Sequence, residues 1–161
     1  MVTVDSIDAI VSNVHDPEVP VLTIKDLGIL RSISQKDGIW VVEITPTYSG
    51  CPAMKTIESE IKEALLSKGI SNVEIVSSLS PAWTTDWLSE EGKRKLEAYG
   101  IAPPVDEVDK SVLFSKDPIV PCPRCKSKHT KMISQFSSTA CKAHFQCQDC
   151  LEPFDYFKCL R

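Results

Sequence analysis

The sequence predicts an α/β (α+β) two-layer sandwich with the element order α-β-β-α-β-α, followed by a small all-β zinc-ribbon module. Three observations predict it. Segments of helical period alternate with β-branched runs through the first 100 residues. Of the seven cysteines, Cys51 stands alone while Cys122, Cys125, Cys141, Cys147, Cys150 and Cys159 crowd the C-terminal quarter. The charge is divided as well. Residues 1–110 carry 10 Lys and Arg against 18 Asp and Glu, whereas residues 111–161 carry 8 against 4. An acidic domain over 1–100, a linker over 101–121 and a basic, Cys-rich module over 122–161 are therefore expected.

The elements follow in order. Ile7, Ile10, Val11 and Val14 repeat at helical spacing, so residues 5–15 read as an amphipathic helix capped by Asp5 or Thr3 and stopped by Pro17. His15 to Pro20 holds two prolines and reads as irregular. Gly28–Ser34 and Ile39–Thr45 are β-branched runs joined by Gln35-Lys36-Asp37-Gly38, and Asp-Gly is a strong hairpin signal. Met54, Ile57, Ile61, Ala64 and Leu65 form a second helical stripe ended by Gly69. Pro52 suits the first position of that helix, which puts Cys51 at its N-cap. Val73–Ser77 reads as a short strand, and a third helix is expected over about residues 89–99, with Ser89 as cap and Gly100 after it. Pro103, Pro104, Pro118 and Pro121 bracket the linker.

Composition narrows the classes of function. The chain has 161 residues, 42% of them hydrophobic and 25% charged, and a mean hydropathy of -0.08. These are values of a folded globular chain. No apolar run reaches the roughly 20 residues a membrane span needs, so no membrane association is expected. The start lacks a basic region followed by an apolar one, and a cytoplasmic protein is expected. Nucleic acid is not an expected partner, since the net charge is -4 and no Lys/Arg stripe interleaves with aromatics. No Gly-x-Gly-x-x-Gly fingerprint and no pair of Glu-x-x-His motifs occurs, which argues against a nucleotide site or a bundle-type di-iron centre.

The strongest motif is Cys122-Pro123-Arg124-Cys125 with Cys147-Gln148-Asp149-Cys150, the two pairs separated by 21 residues. Each Cys-x-x-Cys makes a tight knuckle that presents two sulfurs to one ion. Two knuckles supply a full tetrahedral thiolate shell, so these four are the expected ligands of a structural zinc, with the intervening residues forming a hairpin. Such a site is closed and stabilises a fold; it does not activate water. Cys141 and Cys159 leave two readings open: Cys141 as a small buried hydrophobe, or a Cys141–Cys159 thiol pair or extra ligands to an iron–sulfur cluster. Residues 141–147 alternate with period two, pointing Cys141, Ala143, Phe145 and Cys147 inward. His129 and His144 are expected at the surface.

Cys51 lies in Thr47-Tyr48-Ser49-Gly50-Cys51-Pro52, between a strand and a helix. The positive end of a helix dipole should lower its pKa and favour thiolate chemistry or metal capture. A packed, inert thiol is the plainer reading. A thiol-dependent enzyme using Cys51 is a weaker reading, since no histidine lies near it in sequence and His15 could approach only through the fold.

Asp16-Pro17-Glu18, Asp26-Leu27-Gly28 and the Thr-x-x-x-Cys-Pro segment from Thr47 to Pro52 resemble the small domain of iron–sulfur cluster assembly factors of the SufT type. Four longer strings resemble the PaaD subunit family: Trp83 to Gly92, Tyr99 to Pro104, Cys122 to Cys125, and Cys150 to Cys159. Members of that family accompany the multicomponent phenylacetyl-CoA ring 1,2-epoxidase of aerobic phenylacetate breakdown. The resemblance implies a non-catalytic accessory protein that helps assemble an iron–sulfur or other metal centre in a partner, the oxygenase or the iron–sulfur reductase subunit. It implies a functional thiol at Cys51, an acidic loop at Asp16 and Glu18, a structural zinc in the ribbon and an iron–sulfur cluster held transiently. The alternative is a structural or regulatory docking subunit without cluster chemistry.

Overall fold

A computed structural model describes residues 1–105 and 118–158. Cys159 and most of the expected linker lie outside the described residues. The chain divides into two compact units, Met1–Gly92 and Lys93–Arg161.

The first unit opens with α1 (Val4–Val11). Thr3, not Asp5, caps it: Thr3 Oγ1 accepts the Ser6 N–H at 3.2 Å and Ser6 Oγ accepts the Thr3 N–H at 2.8 Å. This is a reciprocal capping box. The helix ends at Val11 and does not run on to residue 15. The next backbone groups are drawn into other bonds: Ile24 N–H donates to Val14 O at 2.9 Å and His15 bridges to Thr23. Val14 is buried all the same.

β1 (Leu30–Lys36) and β2 (Ile39–Ile44) form the expected antiparallel hairpin. Asp37 and Gly38 both take positive φ, 51° and 81°, as a tight two-residue turn requires. β1 starts two residues later than expected, because Gly28 is used in a turn at φ 71°. α2 (Ala53–Leu66) then carries the chain to β3 (Val73–Ser77), which lies parallel to β2, giving the order β1-β2-β3. Ile57, Ile61 and Leu65 on α2 are fully buried, as are Val42 and Ile44 on β2 and Ile7 and Val11 on α1. At ~25 cal/mol per Å2, burying each such side chain contributes on the order of 2 kcal/mol.

A second set of contacts closes this unit. The Trp83 indole N–H donates to Leu27 O at 2.6 Å, and Ser89 N–H donates to Asp26 O at 2.8 Å. A Cβ on Gly28 would lie 2.5 Å from Trp87 O, and one on Gly92 3.1 Å from Asp26 O. The Arg31 guanidinium stacks 3.6 Å over the Trp87 ring. Ser89 Oγ accepts the Gly92 N–H at 2.9 Å and caps α3 (Glu90–Tyr99).

The second unit holds β4 (Ile101–Ala102), β5 (Thr130–Ser134), β6 (Lys142–Cys147) and β7 (Pro153–Phe157) in the order β4-β7-β6-β5. The expected linker thus begins with a strand: Ile101 and Ala102 are both buried and pair parallel to Asp155 and Tyr156. A single Gly100 at φ 92° suffices to turn the chain from α3 into β4. Phe145 stacks on Phe154 at 5.8 Å and meets Tyr156 edge-on at 5.7 Å. The period-two alternation holds for Cys141, Ala143, Phe145 and Cys147, all buried. Lys142 is the exception among the polar positions, buried with its Nζ 4.0 Å from Asp155 Oδ2.

Gly28→Ala should destabilise the first unit by about 3 kcal/mol or more, because the new methyl group meets backbone and must also take a left-handed φ. Gly50→Ala shares the positive φ but meets nothing within 4 Å, so its cost should stay near ~1 kcal/mol. Thermal melting of the two variants side by side separates steric from conformational cost.

Candidate metal centre and the Cys51 site

Cys51 sits one residue further from α2 than expected. Pro52, at φ -68° and ψ -23°, is the N-cap, and no side chain caps the helix. The Cys51 N–H donates to Tyr48 O and its carbonyl accepts the Met54 N–H, both at 3.3 Å. The thiol is half-buried and takes a hydrogen bond from the Ala53 N–H and another with the Tyr48 side chain.

The fold brings Asp16 and Glu18 to this thiol, close enough for both carboxylates to act on it electrostatically. Asp16 is itself buried, and its Oδ1 accepts the backbone N–H groups of Glu18 and Val19, each at 2.8 Å. That bond pattern folds the Asp-Pro-Glu-Val turn and fixes where Glu18 points from. The expectation of a lowered Cys51 pKa is overturned. Burial raises it; the Ala53 N–H lowers it, Glu18 raises it, the Tyr48 hydrogen bond lowers it and Asp16 raises it, and the net effect is upward. Desolvation and two anions outweigh the helix terminus, so at neutral pH Cys51 is a thiol. The His15 ring is bonded to Pro20 O at 2.7 Å.

In the second unit the four ribbon cysteines converge. Their sulfurs all lie within 4.8 Å of one another. Cys122 Sγ is 3.8 Å from Cys150 Sγ and Cys125 Sγ is 3.5 Å from Cys147 Sγ. Four Zn–S bonds of about 2.3 Å in a tetrahedron require sulfur–sulfur edges of about 3.8 Å, so the cage fits zinc. Cys122 and Cys147 are fully buried, Cys150 is partly buried and Cys125 is exposed. Neither histidine belongs to the group: His129 is exposed and 3.1 Å from Asp149 Oδ1, whereas His144 is half-buried and 3.4 Å from Asp155 Oδ1.

The two knuckles are built alike. Lys126 and Leu151, each directly after a second cysteine, take φ 64° and 63°. Cys122 N–H donates to Ser127 O and Cys147 N–H donates to Glu152 O, both at 2.9 Å. The Cys150 N–H on its sulfur draws the Cys147 thiol down to about 7. At Cys150 the Glu152 N–H favours the thiolate, but burial and the neighbouring sulfurs push the value up to about 12. Four sulfurs this close cannot all ionise without a cation among them.

Sequence reasoning missed Tyr48, although it lies within the quoted Cys51 segment. It also missed Arg124, Ser127, Asp149 and Glu152 as partners across the two knuckles. Their offsets from the cysteines are regular, but which side chain meets which is set by the hairpin that brings the knuckles together.

The chain has two parts, a small α/β domain that carries Cys51 and a strand-rich module that carries a four-cysteine cage. Residues 5–77 match the family described as iron-sulfur cluster assembly protein, and residues 106–158 match the PaaD zinc beta ribbon domain. A protein of Escherichia coli, provisionally named as a component of 1,2-phenylacetyl-CoA epoxidase, is 49% identical over 98% of this chain and 93% of its own length. The chain belongs to the PaaD family. An Fe-S protein maturation auxiliary factor of Porphyromonas gingivalis is 33% identical over 58% of this chain and 90% of its own. The crystal structure of a domain of unknown function (DUF59) from Bacillus anthracis is similar with a TM-score of 0.54 and 25% identity, over 58% of this chain and 90% of that one. Among the described residues no helix is long and apolar enough to cross a membrane.

Alkylation of Cys51 by iodoacetamide, followed by peptide mass mapping, should be slower at pH 7 than for an unstructured cysteine and should keep rising beyond pH 9. Glu18→Gln removes one of the opposing charges and should speed the reaction between pH 7 and 8. A midpoint below pH 8 in the unaltered protein would mean that the N–H donors dominate after all. In the ribbon, Leu151→Gly removes a left-handed β-carbon at an exposed position. It should raise stability by about 1 kcal/mol, read as an increase in melting temperature.

Proposed function

We propose that this chain is a non-catalytic accessory protein of the phenylacetyl-CoA ring 1,2-epoxidase, assisting iron–sulfur or other metal-centre assembly in the oxygenase or the iron–sulfur reductase subunit. The relation to the E. coli epoxidase component and to the maturation factor supports the pathway and the task. The observation that carries the reading is that Glu18 and Asp16 both act electrostatically on the half-buried Cys51 thiol. In this reading the Cys51 sulfur is the ligand offered to iron, and the two carboxylates supply a negative surrounding that favours a cation. A single thiol leaves most positions of a cluster to other ligands, which suits transient holding better than permanent residence. Because the thiol is protonated until a cation arrives, capture of iron releases a proton and is favoured by rising pH.

In this proposal Cys122, Cys125, Cys147 and Cys150 hold one structural zinc. Four thiolates fill its shell, so the ribbon is a rigid platform for docking and takes no part in reaction chemistry. Domain 1–100 then acts on the metal cargo and module 122–161 on the partner protein.

The docking-only alternative has its own support, since Asp16 Oδ1 is engaged in capping its turn and the Cys51 thiol is held neutral. Iron content of the oxygenase and reductase subunits, purified anaerobically from cells with the unaltered protein, with Cys51→Ala or with none, separates the two. Cys51→Ala should cost on the order of 1 kcal/mol of stability and leave zinc unchanged, yet lower the iron content of one partner towards the level found with no accessory protein. Full partner iron with Cys51→Ala would leave docking as the function.

A further inference from the structure

Two cross-links join the knuckles, and they are related by the same offset. Arg124 is the second intervening residue of the first Cys-x-x-Cys, and its Nη1 donates to Glu152 Oε2 at 2.6 Å. Glu152 is the second residue after the second knuckle. Asp149 is the second intervening residue of that second knuckle, and its Oδ2 accepts the Ser127 hydroxyl. Ser127 is the second residue after the first knuckle. Each knuckle therefore grips the exit of the other. The main chain repeats the symmetry in the two bonds from Cys122 to Ser127 and from Cys147 to Glu152.

We infer that Arg124–Glu152 and Ser127–Asp149 are a reciprocal clasp of positioning residues, which holds the four sulfurs at metal-binding separation and governs how slowly the ribbon releases its ion. The inference rests on the four-cysteine zinc reading. None of the four clasp residues offers a ligand to the sulfur cage. The clasp is needed most on one side: Cys125 is exposed while Cys122 and Cys147 are fully buried, so a competing chelator reaches the ion past Cys125. Ser127 stands at that side, with its N–H on the Cys125 sulfur and its hydroxyl on Asp149. The His129 N–H donates to Ser127 Oγ at 3.0 Å, and the Gln148 N–H to His129 O at 2.8 Å, so both knuckles are tied to the base of β5 and β6. An exposed ion pair contributes little to global stability. Its effect belongs in the rate at which one knuckle swings away from the other. Partners around a metal's ligands commonly change affinity 10- to 100-fold.

The test uses the full-length protein loaded with Zn2+, with transfer to the chromogenic chelator 4-(2-pyridylazo)resorcinol followed by absorbance. Co2+ loading of the same samples reports tetrahedral thiolate geometry. Asp149→Ala with Arg124→Ala should release zinc about tenfold faster or more, with an unchanged Co2+ spectrum and unchanged far-UV circular dichroism. Each single variant should fall between. The exchanged pair Arg124→Glu with Glu152→Arg should recover the slow rate that either exchange alone loses. Unaltered release from the double variant, or no recovery in the exchanged pair, overturns the clasp. Failure of the unaltered protein to bind one zinc or cobalt per chain would overturn the four-cysteine reading itself, and that outcome is distinct because it appears before any variant is compared.

Discussion

The first unit is organised around a place where no side chain fits. A β-carbon on Gly28 would collide with the backbone of Trp87, so the turn that feeds β1 must lie flat against the Trp83–Gly92 segment. That closeness lets the Trp83 indole reach Leu27 O and lets Ser89 bond Asp26. The start of the hairpin and the start of α3 are thereby tied at one point, though they are far apart in the chain. Asp26-Leu27-Gly28 and Trp83 to Gly92 are two halves of one packing surface. They brace the unit that carries the acidic loop and Cys51.

At Cys51 two opposite effects of position compete. Standing before a helix exposes the sulfur to unpaired N–H groups, which favour charge. Standing half-buried under the influence of Glu18 and Asp16 disfavours it, and here burial and anions win. The outcome changes the meaning of the residue. A thiolate poised at neutral pH would be a nucleophile and prone to oxidation. A protonated thiol beside carboxylates is a poor nucleophile at neutral pH. Asp16 also engages Oδ1 with the Glu18 and Val19 N–H groups, which holds the turn in place.

Periodicity made the helices, the hairpin and the ribbon strands readable in the sequence, because burial repeats at 3.6 residues in α2 and at 2 in β6. The Asp37-Gly38 turn was readable for a different reason: few residue pairs accept positive φ twice. What could not be read was set by distant partners. α1 stops early because residues 14 and 15 bond to residues 23 and 24. Ile101 and Ala102 look like the head of a Pro-rich linker, yet they add a strand to β7. Cys51 and its acidic neighbours were each legible as candidates, while the direction of the pKa shift was not, since burial has no signature in a local motif. The four ribbon cysteines were legible in full, because two Cys-x-x-Cys knuckles encode their own geometry.

The ribbon shows why that encoding needs support from outside the motif. Each knuckle requires a residue in left-handed conformation directly after its second cysteine, and this chain places Lys126 and Leu151 there rather than glycine. A β-carbon in that conformation costs roughly 1–2 kcal/mol at each site. The strain persists because the surroundings over-determine it. On one side lies an aromatic core of Phe145, Phe154 and Tyr156 that folds β6 onto β7. On the other lie the cross-knuckle bonds and the ion pair from Lys126 to Glu97 on α3. A bare pair of knuckles would depend on the metal for all of its order. Here the sheet, the extra strand β4 and the bonds between the knuckles supply part of that order, so the polypeptide itself brings the four sulfurs to separations that fit a zinc ion.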